Sequence, residues 1–128
     1  HSPRDIDTLI DANMCFGTHV LEAMTQSKTT WKLVNTGSHF QYGDKHVSRA
    51  KNLYAATKTA YSELVRFYCD TNNLTSITLV LFDTYGPSDW RLKLMPAIRD
   101  AQRNQTRFPI PSKDLLLDFV LLNTLYLF

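Results

Sequence analysis

The run Ile77-Thr78-Leu79-Val80-Leu81-Phe82 constrains this chain more than any other feature. A continuous apolar run, rather than an alternating one, marks a strand covered on both faces, as in a parallel sheet. Asn52 to about Asp70, just ahead of it, reads as a helix with Leu53, Ala56, Ala60, Tyr61, Leu64, Val65, Phe67 and Tyr68 spread nearly all round its surface. Such a helix needs burial on more than one side, by the rest of the fold or by a partner subunit. Thr71-Asn72-Asn73 ends it. Further upstream, Trp31 to Val34 reads as a short strand, with Asn35-Thr36-Gly37-Ser38 as its turn-rich exit and a polar loop over about 43–51. Strand, helix, strand with short connections is the α/β pattern, in which ligands bind beyond the carboxyl ends of the strands. Ser38 and Asp83 are placed at such ends.

The remaining segments extend the same pattern. Asp5 to Met24 carries Ile6, Leu9, Ile10, Met14, Gly17, Val20, Leu21 and Met24 at helical spacing. Tyr85-Gly86-Pro87 breaks the apolar strand, a helix follows around Leu92 to Arg103, and FPIP (Phe108 to Pro111) leads to a last strand near Leu116 to Leu121. The 128 residues allow one domain at most, and 44% apolar with 20% charged content is that of an ordinary globular protein. A net charge of +2, with Lys and Arg spread along the chain, argues against a nucleic-acid partner. The apolar run Leu115 to Phe128 is interrupted by Asp118 and Asn123 and is too short to span a bilayer as a helix. Cys15 and Cys69 fall in apolar helical patterns, which predicts buried, reduced thiols in a cytoplasmic protein and no metal site. The start on HSPRDID and the finish inside an apolar run lead us to expect a piece of a larger protein.

Chemistry enters with Tyr54 and Lys58, one turn apart on one face of the second helix. A cation one turn away stabilises a phenolate, so the phenol can trade a proton. Ser38, at a strand end, supplies a hydroxyl that can hold the oxygen receiving that proton. A lone YxxxK is a weak signal, and its ordinary reading is a helical tyrosine with a solvated lysine. His19 and His46 have no second ligand at metal spacing and read as solvated or capping residues. Trp31 and Trp90 read as packing residues.

In order along the chain, LIDANMCFGTHVLEAM, VNTGSHFQYG, NLYAATKTAYSELV, LVLFDTYGP, KLMP and LDFV resemble the segments of the extended short-chain dehydrogenase/reductases, the NAD-dependent epimerase/dehydratase family. The resemblance covers nearly the whole chain. It implies a partial Rossmann-like, doubly wound parallel α/β sheet, with residues 1–128 forming the central and second half of an NAD(P)-binding domain. No Gly-x-x-Gly-x-x-Gly loop is present, so the N-terminal glycine-rich half and the C-terminal substrate lobe are expected to be missing, and this piece alone to be inactive. The implied catalytic residues are Ser38, Tyr54 and Lys58. Tyr54 exchanges the proton, Lys58 supports it and holds the nicotinamide ribose, and Tyr85 walls the nicotinamide. Ser38, His39, Asp83, Lys93, Leu94 and Phe108 fall at substrate positions, Phe108 being equally readable as plain core.

The departures from the family pattern narrow the reading. His39 and Phe40 stand where sugar 4,6-dehydratases carry Asp-Glu, which disfavours water elimination. Asp83 replaces a usual asparagine, and Val80 and Leu117 replace usual arginines. Asn13 lies one residue further from Gly17 than in the common Asn-x-x-Gly-Thr pattern, so the resemblance assigns it no role. The DTYGP and KLMP segments most resemble the sugar 4-ketoreductases of the abequose (CDP-sugar) type. The implied activity is NAD- or NADP-dependent reduction of a 4-keto-6-deoxy nucleotide sugar, with 4-epimerisation by the same residues, or a non-catalytic dinucleotide-binding role, as alternatives. The family's pairing of two long helices across a four-helix bundle implies a homodimer.

Overall fold

The computed structural model describes residues 3–27, 29, 31–43, 47–87, 89, 91, 93–109 and 117–122. Of the features read from sequence, His46, Trp90, Leu92, the end of FPIP and most of the last apolar run lie outside them. The chain divides into two compact units, His1–Leu81 and Phe82–Phe128.

The first unit is a strand–helix–strand built on a parallel pair. Helix α1 (Ile6–Ile10) passes through a π-helical segment, Asp11–Cys15, into α2 (Phe16–Gln26). Strand β1 (Lys32–Ser38) leads through a 3-10 turn (His39–Gln41) to α3 (Leu53–Thr71) and then β2 (Thr75–Leu81). β1 and β2 pair in parallel from Lys32↔Thr75 to Ser38↔Leu81. Asn35-Thr36-Gly37-Ser38 is therefore strand rather than turn-rich exit. Asn35 and Gly37 disfavour a strand, but the ladder to Thr78–Leu81 supplies the hydrogen bonds that decide the matter.

Helices α2 and α3 run parallel, since Asn13 meets Thr57, Gly17 meets Tyr61 and Glu22 meets Tyr68 in the same order along both. Close approach is possible because Gly17 has no side chain; a Cβ there would collide with the Tyr61 ring. Leu21, fully buried, packs with Tyr61 and Val65, and Leu33, Leu64, Tyr68 and Cys69 close over this core. A fully buried side chain such as Leu21 contributes about 1.5–3 kcal/mol.

β2 is parallel as expected, but not covered on both faces. Ile77 is 58% exposed, and Leu79, Val80 and Phe82 are also exposed. Within the first unit α3 and β1 are the elements that pack on it, so the apolar character of ITLVLF exceeds what the described residues of that unit bury. The outer side of α3 is likewise open at Phe67, and that of α2 at Phe16. Trp31 is half exposed rather than packed, and Cys15 is exposed, not buried. Both cysteines are free thiols. No helix among the described residues is long and apolar enough to cross a membrane.

In the second unit, β3 (Asp83–Tyr85) pairs in parallel with β4 (Phe119–Leu121), and α4 (Leu94–Arg103) lies between them in sequence.

Candidate active site

Ser38 is the last residue of β1 and is 8% exposed. Its Oγ accepts the Phe40 N–H (3.3 Å), while its own N–H donates to Gln41 Oε1 (2.7 Å), a reciprocal capping arrangement at the start of the 3-10 turn. The chain then doubles back. Gly43 N–H donates to Val47 O (2.7 Å), Arg49 N–H to Gln41 O (3.1 Å) and Lys51 N–H to Phe40 O (2.9 Å). The stretch read as a polar loop thus returns as a short antiparallel ribbon, with a bridge between Tyr42 and Ser48. It delivers Asn52, whose side chain accepts the Ala55 N–H (2.9 Å) and caps α3. Tyr54 falls in the first turn of the capped helix.

Lys58 joins the two elements. Its Nζ donates to the Thr36 carbonyl of β1 (3.0 Å) and lies 6.0 Å from the centroid of the Tyr54 ring. Partial burial pushes the Lys58 ammonium below its ordinary range. Tyr54 itself is 37% exposed, open to a ligand. Its carbonyl accepts the Thr57 hydroxyl (2.8 Å), and Thr57 Oγ1 accepts from Asn13 Nδ2 (3.1 Å). Asn13 thereby touches the helix of the candidate site. Asn13 lies within a π-helical turn, Asp11–Cys15, ahead of Gly17, and a π turn holds one residue more than an α turn. His39 sits directly after Ser38, half-buried, with its ring 4.2 Å from that of Phe40.

The second unit holds the other candidates. Asp83 follows β2 by two residues and begins β3, rather than ending a strand. Its Oδ1 is 3.5 Å from Lys93 Nζ, so the carboxylate that stands in place of asparagine is paired with a cation. Lys93 occupies the N-cap position of α4 without a side-chain capping bond, Leu94 opens that helix half-buried, and Phe108 is half-buried beyond its end. Tyr85 packs edge-on against Phe119, 6.1 Å between centroids. Arg91 is committed elsewhere. Its guanidinium grips the buried Asp89 carboxylate at 2.6 Å through Nε and through Nη2, and also reaches Thr84 O (3.2 Å). The grip holds the Asp89 carboxyl at about 2, below the ordinary 3.8. Among the described residues no cluster of His, Cys, Asp or Glu could hold a metal ion.

The model of the NAD dependent epimerase/dehydratase family matches residues 1–120. The chain belongs to that family. Solved structures of similar fold include a UDP-N-acetylglucosamine 4-epimerase from Methanobrevibacter ruminantium M1 in complex with UDP-N-acetylmuramic acid (TM-score 0.73, 14% identity, covering 88% of this chain and 40% of that one). A UDP-glucuronic acid 4-epimerase from Bacillus cereus in complex with UDP-glucuronic acid and NAD gives 0.73, 17%, 89% and 38%, in the same order. A UDP-glucose 4-epimerase from Thermus thermophilus in complex with NAD gives 0.65, 21%, 88% and 42%. At these identities the likeness concerns the fold, which is the Rossmann-like α/β fold, present here in part. The chain spans 38% to 42% of the length of these structures. A comparison with curated protein sequences gives no significant match.

The residues of this family member fit one end of a nicotinamide dinucleotide. Lys58 has three N–H donors, of which the Thr36 carbonyl takes one, leaving donors for a ribose diol. Among the described residues the pyrophosphate end has no such place. The glycines stand in α2 (Gly17), at the end of β1 (Gly37), in the returning ribbon (Gly43) and after β3 (Gly86), none in a strand–turn–helix cradle. Residue-pattern reading missed Gln41 and Thr57, and singled out Asn13 without giving it a role. Ser38-His39-Phe40-Gln41 carries the Ser-x-x-Gln capping signature that would have found the first.

Proposed function

We propose that residues 1–128 are the central and second half of the NAD(P)-binding domain of an enzyme that acts on a nucleotide sugar, with Ser38, Tyr54 and Lys58 as its catalytic residues. The observation that carries this reading is the position of Lys58, hydrogen-bonded to the strand that ends in Ser38 and lying over the ring of Tyr54. NAD or NADP, when bound, supplies a hydride donor or acceptor at its nicotinamide. Tyr54 gives a proton to the sugar oxygen as its carbon is reduced, or takes one as it is oxidised. Ser38 holds that oxygen by a hydrogen bond whose value grows as negative charge develops there. Lys58 keeps a positive charge beside the phenol and offers its remaining donors to the ribose.

Reduction of a 4-keto-6-deoxy sugar is the leading reaction, on the resemblance of the DTYGP and KLMP segments. A second reading, 4-epimerisation with the same residues, is favoured by the fold shared with 4-epimerases. The resemblance further assigns Asp83, Lys93, Leu94 and Phe108 to the nucleotide sugar, His39 to the reacting ring and Tyr85 to the nicotinamide. Lys93 is the cation suited to a diphosphate, since its pairing with Asp83 is loose whereas Arg91 is held by Asp89. The exposed Phe16 and Phe67 on α2 and α3 support a homodimer through those helices. Two free thiols support the cytoplasm as the working compartment.

The test uses the complete protein that carries these residues. Incubated with NAD(P)H and CDP- or dTDP-4-keto-6-deoxy sugars, it should oxidise the cofactor in step with loss of the ketone. Conversion of a UDP-sugar to its 4-epimer without net cofactor oxidation would select the second reading. Tight dinucleotide binding with neither turnover would point to a non-catalytic member of the family and contradict the proposal.

A further inference from the structure

Gln41 is buried to 4% exposure, deeper than any residue assigned to the site. A primary amide is costly to bury unless both of its ends are partnered. Here Oε1 accepts the Ser38 N–H at 2.7 Å, and Nε2 lies 3.5 Å from both Thr59 Oγ1 and Ser62 Oγ on α3. Those two hydroxyls give their own protons to Ala55 O (3.0 Å) and Lys58 O (3.1 Å). They therefore meet the amide as acceptors, which fixes its NH2 toward α3 and its oxygen toward Ser38. The space for that oxygen exists because residue 37 is glycine: a Cβ there would stand 2.9 Å from Gln41 Oε1.

The consequence falls on the Ser38 hydroxyl. One of its lone pairs is occupied by the Phe40 N–H, and the backbone on its N-terminal side is held by the Gln41 amide. Among the described residues no acceptor takes its proton, which leaves that proton for a ketone or alkoxide oxygen rather than a donor group. Lys58 ties β1 to α3 at Thr36, and Gln41 ties the Ser38 turn to the same helix at Thr59 and Ser62. Ser38 lies between the two ties.

We propose that Gln41 is the positioning residue of this site, clamping the Ser38 backbone so that the Ser38 hydroxyl is presented as a donor to the reacting oxygen. The proposal rests on the assignment of Ser38 to the catalytic set. Gln41 is not a substrate contact, because its amide is consumed within the protein.

Two variants of the complete protein test it. Gln41→Met keeps the volume and removes both polar ends; Gly37→Ala keeps the amide but pushes its oxygen aside, and carries the test should Gln41→Met fail to fold. Misplacement of a reacting group by about 1 Å costs about 100-fold in rate. Each variant should therefore lower kcat by about 10- to 100-fold, with nucleotide-sugar affinity by calorimetry within about twofold. Amide hydrogen exchange at Ser38 should accelerate, and adding Ser38→Ala to either variant should cost about twofold or less. A full Ser38→Ala loss in the Gln41→Met background, or unchanged Ser38 amide exchange, would overturn the clamp while leaving the catalytic assignment standing. A Ser38→Ala single variant with unimpaired turnover would instead overturn the assignment itself, and the proposal with it.

Discussion

Replacing Gly17 by alanine separates two opposing effects in one measurement. In an open helix, glycine to alanine stabilises by about 1 kcal/mol, because alanine loses less backbone freedom on folding. Gly17 is buried instead, and a Cβ on it would fall 2.7 Å from Cζ of Tyr61, well inside contact distance. Forcing a methyl group into a packed contact costs about 1–3 kcal/mol. The displaced ring also weakens the Tyr61 hydroxyl bond to the Gly17 carbonyl (3.4 Å), worth about 0.5–1.5 kcal/mol. Packing wins, and the net expectation is a loss of about 0.5–3.5 kcal/mol. Urea denaturation of the complete protein, followed by circular dichroism, reads it. The control is the same change in a Tyr61→Ala background, where the obstruction is gone and the propensity gain of about 1 kcal/mol should reappear. The sign should invert between the two backgrounds. A Gly17→Ala protein that is more stable with Tyr61 in place would refute the close parallel packing of α2 on α3, and with it the account of how α3 is held.

Leu21→Ala, at the fully buried centre of the same contact, should cost about 2–5 kcal/mol in that assay; a change below about 1 kcal/mol would mean the core lies elsewhere. Asp89 has a folded-state value of about 2 against an ordinary 3.8, so the unfolded chain binds more protons between those values. Its contribution to stability is complete above 3.8 and lost as pH falls through about 2, and Asp89→Asn should flatten the acid limb of a melting-temperature titration in that window. The isolated 128-residue chain exposes Phe16 (67%), Val34 (63%), Ile77 (58%) and Phe67 (58%), and should self-associate and bind an apolar dye. Sedimentation as a monodisperse, dye-silent monomer at micromolar concentration would contradict that.

What could be read from the sequence was whatever depends on periodicity. The helices at α2, α3 and α4 and the parallel strand β2 follow from apolar spacing, and the Tyr54–Lys58 turn follows from one-turn spacing on a helix. Features set by partners distant in sequence were not legible. Asn35 to Ser38 looked like a turn because its residues are small and polar, yet the ladder to β2 makes them strand. ITLVLF looked doubly covered because its residues are apolar throughout, yet among the described residues Ile77, Leu79, Val80 and Phe82 are exposed. The π turn that holds Asn13 could not be read from spacing alone. Gln41 was passed over since its importance comes from the glycine at 37 and two hydroxyls on α3. Its Ser-x-x-Gln signature, by contrast, was there to be read.

The central claim is that Tyr54 moves a proton at a nucleotide-sugar oxygen with Lys58 beside it. The direct measurement is kcat of the complete protein and of its Tyr54→Phe and Lys58→Met variants, with NAD(P)H and a 4-keto nucleotide sugar or with a UDP-sugar, whichever the enzyme turns over. Loss of a positioned acid–base group should lower kcat by about 100- to 10,000-fold in Tyr54→Phe, with substrate still bound. Lys58→Met should lose turnover and also weaken dinucleotide binding. Turnover of Tyr54→Phe within a few-fold of the parent would contradict the account.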